Sequence, residues 1–122
     1  MRTVLLFNLE DRISFKMILA VSGIKVLELS KEDQEQKTGY LLGKAGFYRE
    51  NVSCKEPFSD PLIVFDQFSD RQLDEILQLI RNEKVNVSLK AVTTRRNLNW
   101  KATALRKELM AEHLAMMNRN KF

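Results

Sequence analysis

The sequence has very few of the residues that build disulfides, metal centres and catalytic dyads. Among its 122 residues are one cysteine, Cys54, and one histidine, His113. A single cysteine excludes an internal disulfide and is typical of proteins in a reducing compartment, so we expect a cytoplasmic location. Neither residue belongs to a motif that indicates nucleophilic catalysis or metal binding. The sequence therefore predicts no catalytic residues, no metal site and no cofactor.

Long hydrophobic runs are also absent. The longest, Met17 to Val21, spans five residues, whereas a membrane-spanning helix needs about 20. The apolar start, Val4–Phe7, is soon followed by three charged residues at positions 10–12, which is unlike the apolar region of a signal peptide. We expect no membrane segment and no secretory leader.

The charge is distributed unevenly, although the net charge is only +4. Residues 84–122 carry nine basic and two acidic side chains, a balance of +7, while residues 1–83 carry eleven basic and fourteen acidic ones, a balance of −3. A basic end of this kind attracts a small anion or an acidic protein, and these are the expected partners. Nucleic acid is disfavoured because no recognition motif is present. The alternative is an ordinary solvated helix face.

Strand-like and helix-like segments alternate along the chain. Four apolar segments predict strands, at Thr3–Phe7, Ile24–Leu29, Leu62–Phe65 and Val85–Ala91. Four segments with helical spacing predict helices, which begin at Asn8, Ser30, Ser69 and Asn99. The first helix is expected to bury a stripe made of Leu9, Ile13, Met17, Ala20 and Val21. Between Lys44 and Pro61 the sequence shows no clear pattern, and a loop of that length is often functional.

The element order β-α-β-α-β-α-β-α predicts an α/β fold in a single domain over residues 1–122. Strands separated by helices favour parallel pairing, so we expect a small three-layer sandwich with a mostly parallel four-stranded sheet. The alternative is a ferredoxin-like α+β arrangement with an inserted helix, which the alternating fourth strand favours because one-sided strands suit an open antiparallel sheet. No internal repeat is evident.

The segment from Leu62 to about Met117 contains a combination of motifs. It reads as an apolar strand, a Phe-Ser-Asp helix start at Phe68–Asp70, a Leu-Lys-Ala-Val-Thr strand end at Leu89–Thr93, then Asn97, Trp100 and the Glu-His pair at Glu112 and His113. This combination resembles an uncharacterised bacterial family of domains of unknown function. The resemblance implies no activity, so we expect a small cytoplasmic binding or regulatory module.

The turn after the fourth predicted strand is the candidate site. Ligands of open α/β sheets gather beyond the carboxyl ends of the strands, and cationic side chains with backbone N–H groups suit a phosphate or carboxylate. The candidate ligand-binding residues are Lys90, Thr93, Arg95, Arg96, Asn97 and Trp100. The alternative is structural, with Thr93 and Asn97 closing the turn, Asn99 capping the last helix and Trp100 packing on the core.

A second constellation resembles the receiver domain of response regulators. Such domains place an acid pair after the first strand, a phosphoacceptor Asp at the end of the third and a Thr or Ser at the end of the fourth. Glu10 with Asp11, Asp66 and Thr93 occupy comparable positions here. A degenerate receiver-like signalling domain is therefore an alternative function, and a weak, sequence-independent nucleic-acid binder is another.

Overall fold

The computed structural model describes the backbone of residues 1–119 and the side chains of residues 1–116. This part of the chain forms four strands and four α-helices: β1 (Thr3–Phe7), α1 (Ile13–Val21), β2 (Lys25–Leu29), α2 (Thr38–Leu41), β3 (Leu62–Asp66), α3 (Asp70–Asn82), β4 (Leu89–Val92) and α4 (Ala102–Arg119). The predicted alternation of strands and helices is confirmed. No helix in the described residues is both long enough and apolar enough to cross a membrane.

The four strands form one open, mixed sheet in the order β2-β1-β3-β4. The outer pairs β1–β2 and β3–β4 are parallel, but the central pair β1–β3 is antiparallel. The predicted α/β class is thus confirmed, whereas neither a mostly parallel nor an antiparallel sheet describes the strand directions. The long connection between β2 and β3 lets the chain return in either direction, so local sequence does not set this polarity. The three-layer sandwich stays a prediction.

The chain forms two compact units. The first unit consists of Met1–Ser30 and Ser59–Thr93, and it contains the whole sheet with α1 and α3. The second unit consists of Lys31–Phe58 and the chain from Thr94 onward, and it contains α2 and α4. Each unit is therefore assembled from two separate stretches of sequence. Their behaviour as a single domain stays a prediction.

The core of the first unit lies between one face of the sheet and the helices α1 and α3. Every residue of β1 and β3 is at most 7% exposed, which explains why these strands read as unbroken apolar runs. The side chains that form this core include Val4, Leu6, Phe15, Leu19, Ile63, Phe65, Ile76, Ile80, Val85 and Val87. Burial of each large apolar side chain stabilises the fold by roughly 1.5–3 kcal/mol.

The first unit contains an internal structural repeat. β1-α1-β2 and β3-α3-β4 are two parallel strand-helix-strand segments, and they join through the antiparallel β1–β3 pair. This pair is symmetric, because Leu5 and Val64, the central residues of the two strands, lie opposite each other. Few residues are identical at equivalent positions, which is why the sequence alone showed no repeat.

The repeat extends to unusual backbone angles. Asn8 and Gln67, directly after β1 and β3, have φ values of 60° and 63°. Gly23 and Lys84, at the ends of α1 and α3, have φ values of 82° and 52°. In both helix ends, the next backbone N–H donates to the carbonyl five residues earlier at 3.1 Å, as in a Schellman cap. Equivalent positions in the two segments thus adopt the same left-handed backbone conformation with different residues.

The first helix differs from its prediction in start and in orientation. It begins at Ile13, not directly after Asn8, because Asn8 takes a left-handed turn and donates its side-chain N–H to the Asp60 carbonyl at 3.0 Å. Of the predicted buried stripe, Leu9 is buried, but Ile13, Met17, Ala20 and Val21 are exposed. The helix has two apolar faces, and the one that carries Phe15 and Leu19 packs into the core.

Other boundaries differ as well. The helix predicted from Ser30 is a 3₁₀ segment, Lys31–Glu35, followed by the short α2. In β4, the ladder begins only at Leu89, although Val85 and Val87 before it are buried. The helix start predicted at Ser69 is confirmed, and a capping box forms there: the Ser69 hydroxyl accepts from Gln72 N–H at 3.1 Å, and the Gln72 side chain accepts from Ser69 N–H at 3.0 Å.

Candidate anion-binding turn

The six candidate residues belong to different units. Lys90 and Thr93 are in the first unit, and Arg95, Arg96, Asn97 and Trp100 are in the second.

Lys90 lies within β4, two residues before its end at Val92. Its ammonium donates to the Val87 carbonyl at 2.7 Å. Burial lowers the pKa of Lys90, and the neighbouring charge of Arg81 lowers it further. Because side chains alternate along a strand, Lys90 and Thr93 point to opposite faces of the sheet. The structure therefore does not bring these two candidates together.

Thr93 joins the ends of β3 and β4. Its backbone N–H donates to the Phe65 carbonyl at 3.0 Å, and its hydroxyl donates to a carboxylate oxygen of Asp66 at 2.8 Å. Asp66 is only 5% exposed, and a buried carboxylate needs such donors to offset its lost hydration. The arrangement makes Thr93 and Asp66 a pair that fixes the edge of the sheet.

The receiver-like constellation does not form. In the antiparallel pairing, Asp66 at the end of β3 lies opposite Thr3 at the start of β1. Glu10 and Asp11 follow the other end of β1, so they lie at the opposite edge of the sheet from Asp66 and Thr93. The receiver interpretation is wrong in this respect, because it assumed that β1 and β3 run in the same direction. Within residues 1–119, no group of three or more His, Cys, Asp or Glu side chains has metal-binding geometry.

In the second unit, Thr94 and Asn97 lock the turn between them. The Asn97 side-chain oxygen accepts from Thr94 N–H at 2.7 Å, and the Thr94 hydroxyl accepts from Asn97 N–H at 3.0 Å. Asn97 is 8% exposed, and it begins a single 3₁₀ turn, Asn97–Asn99. These reciprocal bonds resemble those of a capping box. Asn97 therefore shapes the turn, as the structural alternative anticipated, although its partner is Thr94 and not Thr93.

Arg95 and Arg96 lie between these two anchors, and both are exposed. Neither guanidinium forms an ion pair with any described residue. Because the backbone beneath the two exposed guanidinium groups is already fixed, less conformational entropy of the turn is lost when an anion binds. Of the six candidates, these two offer the most available hydrogen-bond donors.

Trp100 is half-buried and follows the turn. Its carbonyl accepts from Thr38 N–H at 2.9 Å and from the Thr38 hydroxyl at 3.0 Å. These bonds hold the chain extended, so α4 begins only at Ala102 and Asn99 is not its cap. Within α4, Leu105 is buried, whereas Met116 is 63% exposed.

Sequence reasoning missed the residues that hold the segment beyond Trp100. Glu35 accepts from the Thr103 hydroxyl at 2.8 Å and pairs with Lys101 at 3.4 Å, while the Gln36 carbonyl accepts from Ala102 N–H at 3.3 Å. Glu35 and Gln36 belong to a polar stretch that has no apolar periodicity. No pattern in the sequence linked that stretch to residues 100–103.

The comparisons with known proteins bear on the same part of the chain. Residues 61–116 match the family model described as "Domain of unknown function (DUF3783)". This region runs from β3 into α4 and contains all six candidate residues. The match supports the resemblance to an uncharacterised family over nearly the span predicted from the sequence. Neither the curated proteins nor the solved structures gave a significant match.

Proposed function

We propose that the chain is a small binding module whose turn at Thr94–Trp100 holds an anionic group, a phosphate or a carboxylate, on Arg95 and Arg96. The observation that carries the proposal is the reciprocal Thr94–Asn97 hydrogen bonding beneath two exposed, unpaired guanidinium groups. Guanidinium groups match the geometry of both anions and form charge-assisted hydrogen bonds with them.

Two of the sequence candidates have smaller roles in this proposal. The Thr93 hydroxyl already donates to Asp66, and the Lys90 ammonium already donates to a backbone carbonyl. The ligand contacts are therefore assigned to Arg95 and Arg96, with Asn97 shaping the turn. The basic balance of residues 84–122 supports the choice of an anion, since it raises the local concentration of negatively charged ligands.

A bacterial, cytoplasmic setting belongs to the same proposal. Its support is the single free thiol, Cys54, together with the resemblance to a family of bacterial domains. The proposal assigns a binding role and no reaction.

Trp100 provides the readout for the test, because it is the only tryptophan and follows the turn directly. Inorganic phosphate is titrated at constant ionic strength, and binding is followed by Trp100 fluorescence and by calorimetry. We expect saturable binding in the wild type and at least about a tenfold loss of affinity in the Arg95→Ala/Arg96→Ala double variant.

Arg71→Ala is the matched control, because Arg71 is exposed and its ion pair is with Glu75 in the next turn of α3. Its affinity should equal that of the wild type. Equal affinity of the wild type and the double variant would contradict the proposal. Binding of single-stranded DNA that falls steeply with salt and depends on Lys101 and Lys107 would favour the nucleic-acid alternative.

A further inference from the structure

The outward face of α1 carries no charged side chain. Ile13, Met17 and Val21 recur at four-residue spacing and are 64%, 63% and 87% exposed. The one charged residue of the helix, Lys16, turns towards the sheet and pairs with Glu28 of β2 at 2.6 Å. A surface helix normally exposes charged and polar residues, so a solvent-facing apolar stripe indicates a surface that another molecule covers.

A shallow groove of about 430 Å³ runs along this face. It is lined by the apolar side chains of Met17, Ile18 and Val21 and by the small polar residues Ser14 and Ser22. The groove and the stripe together form one surface, which we call the α1 face.

The internal repeat provides a comparison within the same unit. α1 and α3 bury equivalent apolar residues, Phe15 with Leu19 in one and Ile76 with Ile80 in the other. The exposed residues of α3 at positions equivalent to the α1 face are all polar or charged: Asp74, Glu75, Gln78 and Asn82. The fold therefore does not require an apolar outward face on a helix in this position.

We propose that the α1 face binds the α1 face of a second copy of this chain, with the two helices antiparallel about a two-fold axis at Met17. Ile13 and Val21 are equally spaced from Met17, so the axis places Ile13 of each copy beside Val21 of the other copy. A patch of this kind is self-complementary, as an isologous interface must be. Methionine at the centre suits the contact because its flexible side chain adapts to a neighbour.

The charges beside the α1 face favour the antiparallel direction. Before the helix lie Glu10 and Asp11, which outnumber the single basic residue Arg12. Beyond its other end lie Lys25, which is exposed, and Arg2, whose guanidinium donates to the Ser22 carbonyl at 2.9 Å. Antiparallel packing brings the acidic end of one copy to the basic end of the other, whereas parallel packing brings like charges together. The opposed helix dipoles favour the same direction.

The size of the α1 face sets the strength of the contact. A helix of nine residues is roughly 14 Å long, so its contact falls well below the ~1,200 Å² of a stable interface. We therefore expect a reversible dimer whose population depends on concentration in the micromolar range or above.

The test is sedimentation equilibrium of the full chain from about 10 µM to about 1 mM. The Met17→Gln/Val21→Asn variant installs the residues of α3 at equivalent positions, and we expect its dimer dissociation constant to rise at least about tenfold. Both side chains are exposed, so its thermal transition should match that of the wild type. Gln78→Ala changes the α3 position equivalent to Met17, and it should leave the dimer dissociation constant unchanged.

A charge exchange tests the direction of packing. Lys25→Glu should weaken the dimer, and adding Glu10→Lys to the same chain should restore much of the loss. A wild type that remains monomeric up to about 1 mM, or a Met17→Gln/Val21→Asn variant that dimerises as the wild type does, would overturn the proposal. A monomer would leave the α1 face to a different protein or surface.

Discussion

At the scale of single residues, two buried glutamines organise the stretch that lacks a sequence pattern. Gln34 donates to the Phe58 carbonyl at 3.1 Å and accepts from Phe58 N–H at 2.8 Å. Gln36 does the same with Glu50, with both bonds at 2.8 Å. Each side-chain amide thus pairs with one backbone residue as a neighbouring strand would. Since both glutamines are at most 1% exposed, residues 44–58 are held by polar contacts that hydrophobic periodicity cannot reveal.

Gln36→Glu should strongly destabilise the fold. The change replaces the amide donor with an oxygen that faces the Glu50 carbonyl, leaving a buried acceptor unpaired and a carboxylate desolvated. We expect the free energy of unfolding to fall by about 2–3 kcal/mol, measured by urea denaturation. The exposed control Gln78→Glu should stay within about 0.5 kcal/mol of the wild type. Equal losses in the two variants would show that the Gln36 amide has no special role.

The Cys54 thiol should react slowly. Burial raises its pKa, and the nearby carboxylate of Glu35 raises it further, while a backbone hydrogen bond from Glu56 opposes the two. A raised pKa lowers the thiolate fraction at any pH below it, and the thiolate is the reactive form. Alkylation by iodoacetamide should therefore show a pH profile shifted upwards from that of a free cysteine.

The variant Glu35→Gln should shift that profile back to lower pH, because it removes the negative charge and keeps the side-chain shape. Glu32→Gln, at an exposed neighbouring position, is the control. Superimposable profiles for the wild type and Glu35→Gln would show that the charge of Glu35 does not raise the pKa of Cys54.

At the scale of elements, the two repeat segments end their helices in the same backbone conformation with different residues. Gly23 meets the left-handed turn without strain, and a Cβ built there has nothing within 4 Å. Lys84 occupies the equivalent turn at φ 52°, where a residue with a Cβ is strained by about 1 kcal/mol. We therefore expect backbone conformation to dominate the effect of substitutions at these two positions.

Replacement of these residues should have opposite effects. We expect Lys84→Gly to raise the free energy of unfolding by up to about 1 kcal/mol, and Gly23→Ala to lower it by about 1 kcal/mol. Chemical denaturation measures both. A destabilising Lys84→Gly would mean that contacts of the lysine side chain outweigh the backbone strain.

The starts of α3 and α1 show which helix boundaries could be predicted from the sequence. The α3 start was predictable because Ser69 and Gln72 carry its capping signal in the sequence. The α1 start was not, since Arg12 at its N-cap makes no side-chain cap, and Asn8 before it has a cap-like identity but forms a left-handed turn. The outward stripe of α1 was mistaken for its buried one because both faces of that helix are apolar. Periodicity locates apolar faces, but it does not decide which one packs on the sheet.

For the candidate site, the turn itself was predictable and its side-chain grouping was not. Asn97 was a candidate ligand-binding residue, and the structural alternative predicted that it closes the turn, which it does through its bonds with Thr94. Lys90 was expected beside Thr93, but its register in β4 directs it to the other face of the strand. The receiver-like alternative failed for a related reason, because strand polarity depends on pairings between residues that are distant in sequence.

At the scale of the whole molecule, both units depend on both halves of the chain. β1 and β2 come from the first half and β3 and β4 from the second, and they meet in the central antiparallel pair. Fragments 1–44 and 60–122 should therefore lack sharp melting transitions when expressed alone, since each has lost part of both units. Circular dichroism and thermal melts of the two fragments check this expectation. Two fragments that melt independently would contradict a single cooperative domain.

The turn that Thr94 and Asn97 lock in place is the proposed binding site. The most direct measurement is a titration of ¹⁵N-labelled full-length protein with inorganic phosphate, with chloride at equal ionic strength as the reference. We predict saturable shifts of the backbone amide resonances of Thr94, Arg95, Arg96 and Asn97, and loss of these shifts in the Arg95→Ala/Arg96→Ala variant. Shifts that persist in that variant, or no saturable shift in this turn of the wild type, would contradict the proposed anion site.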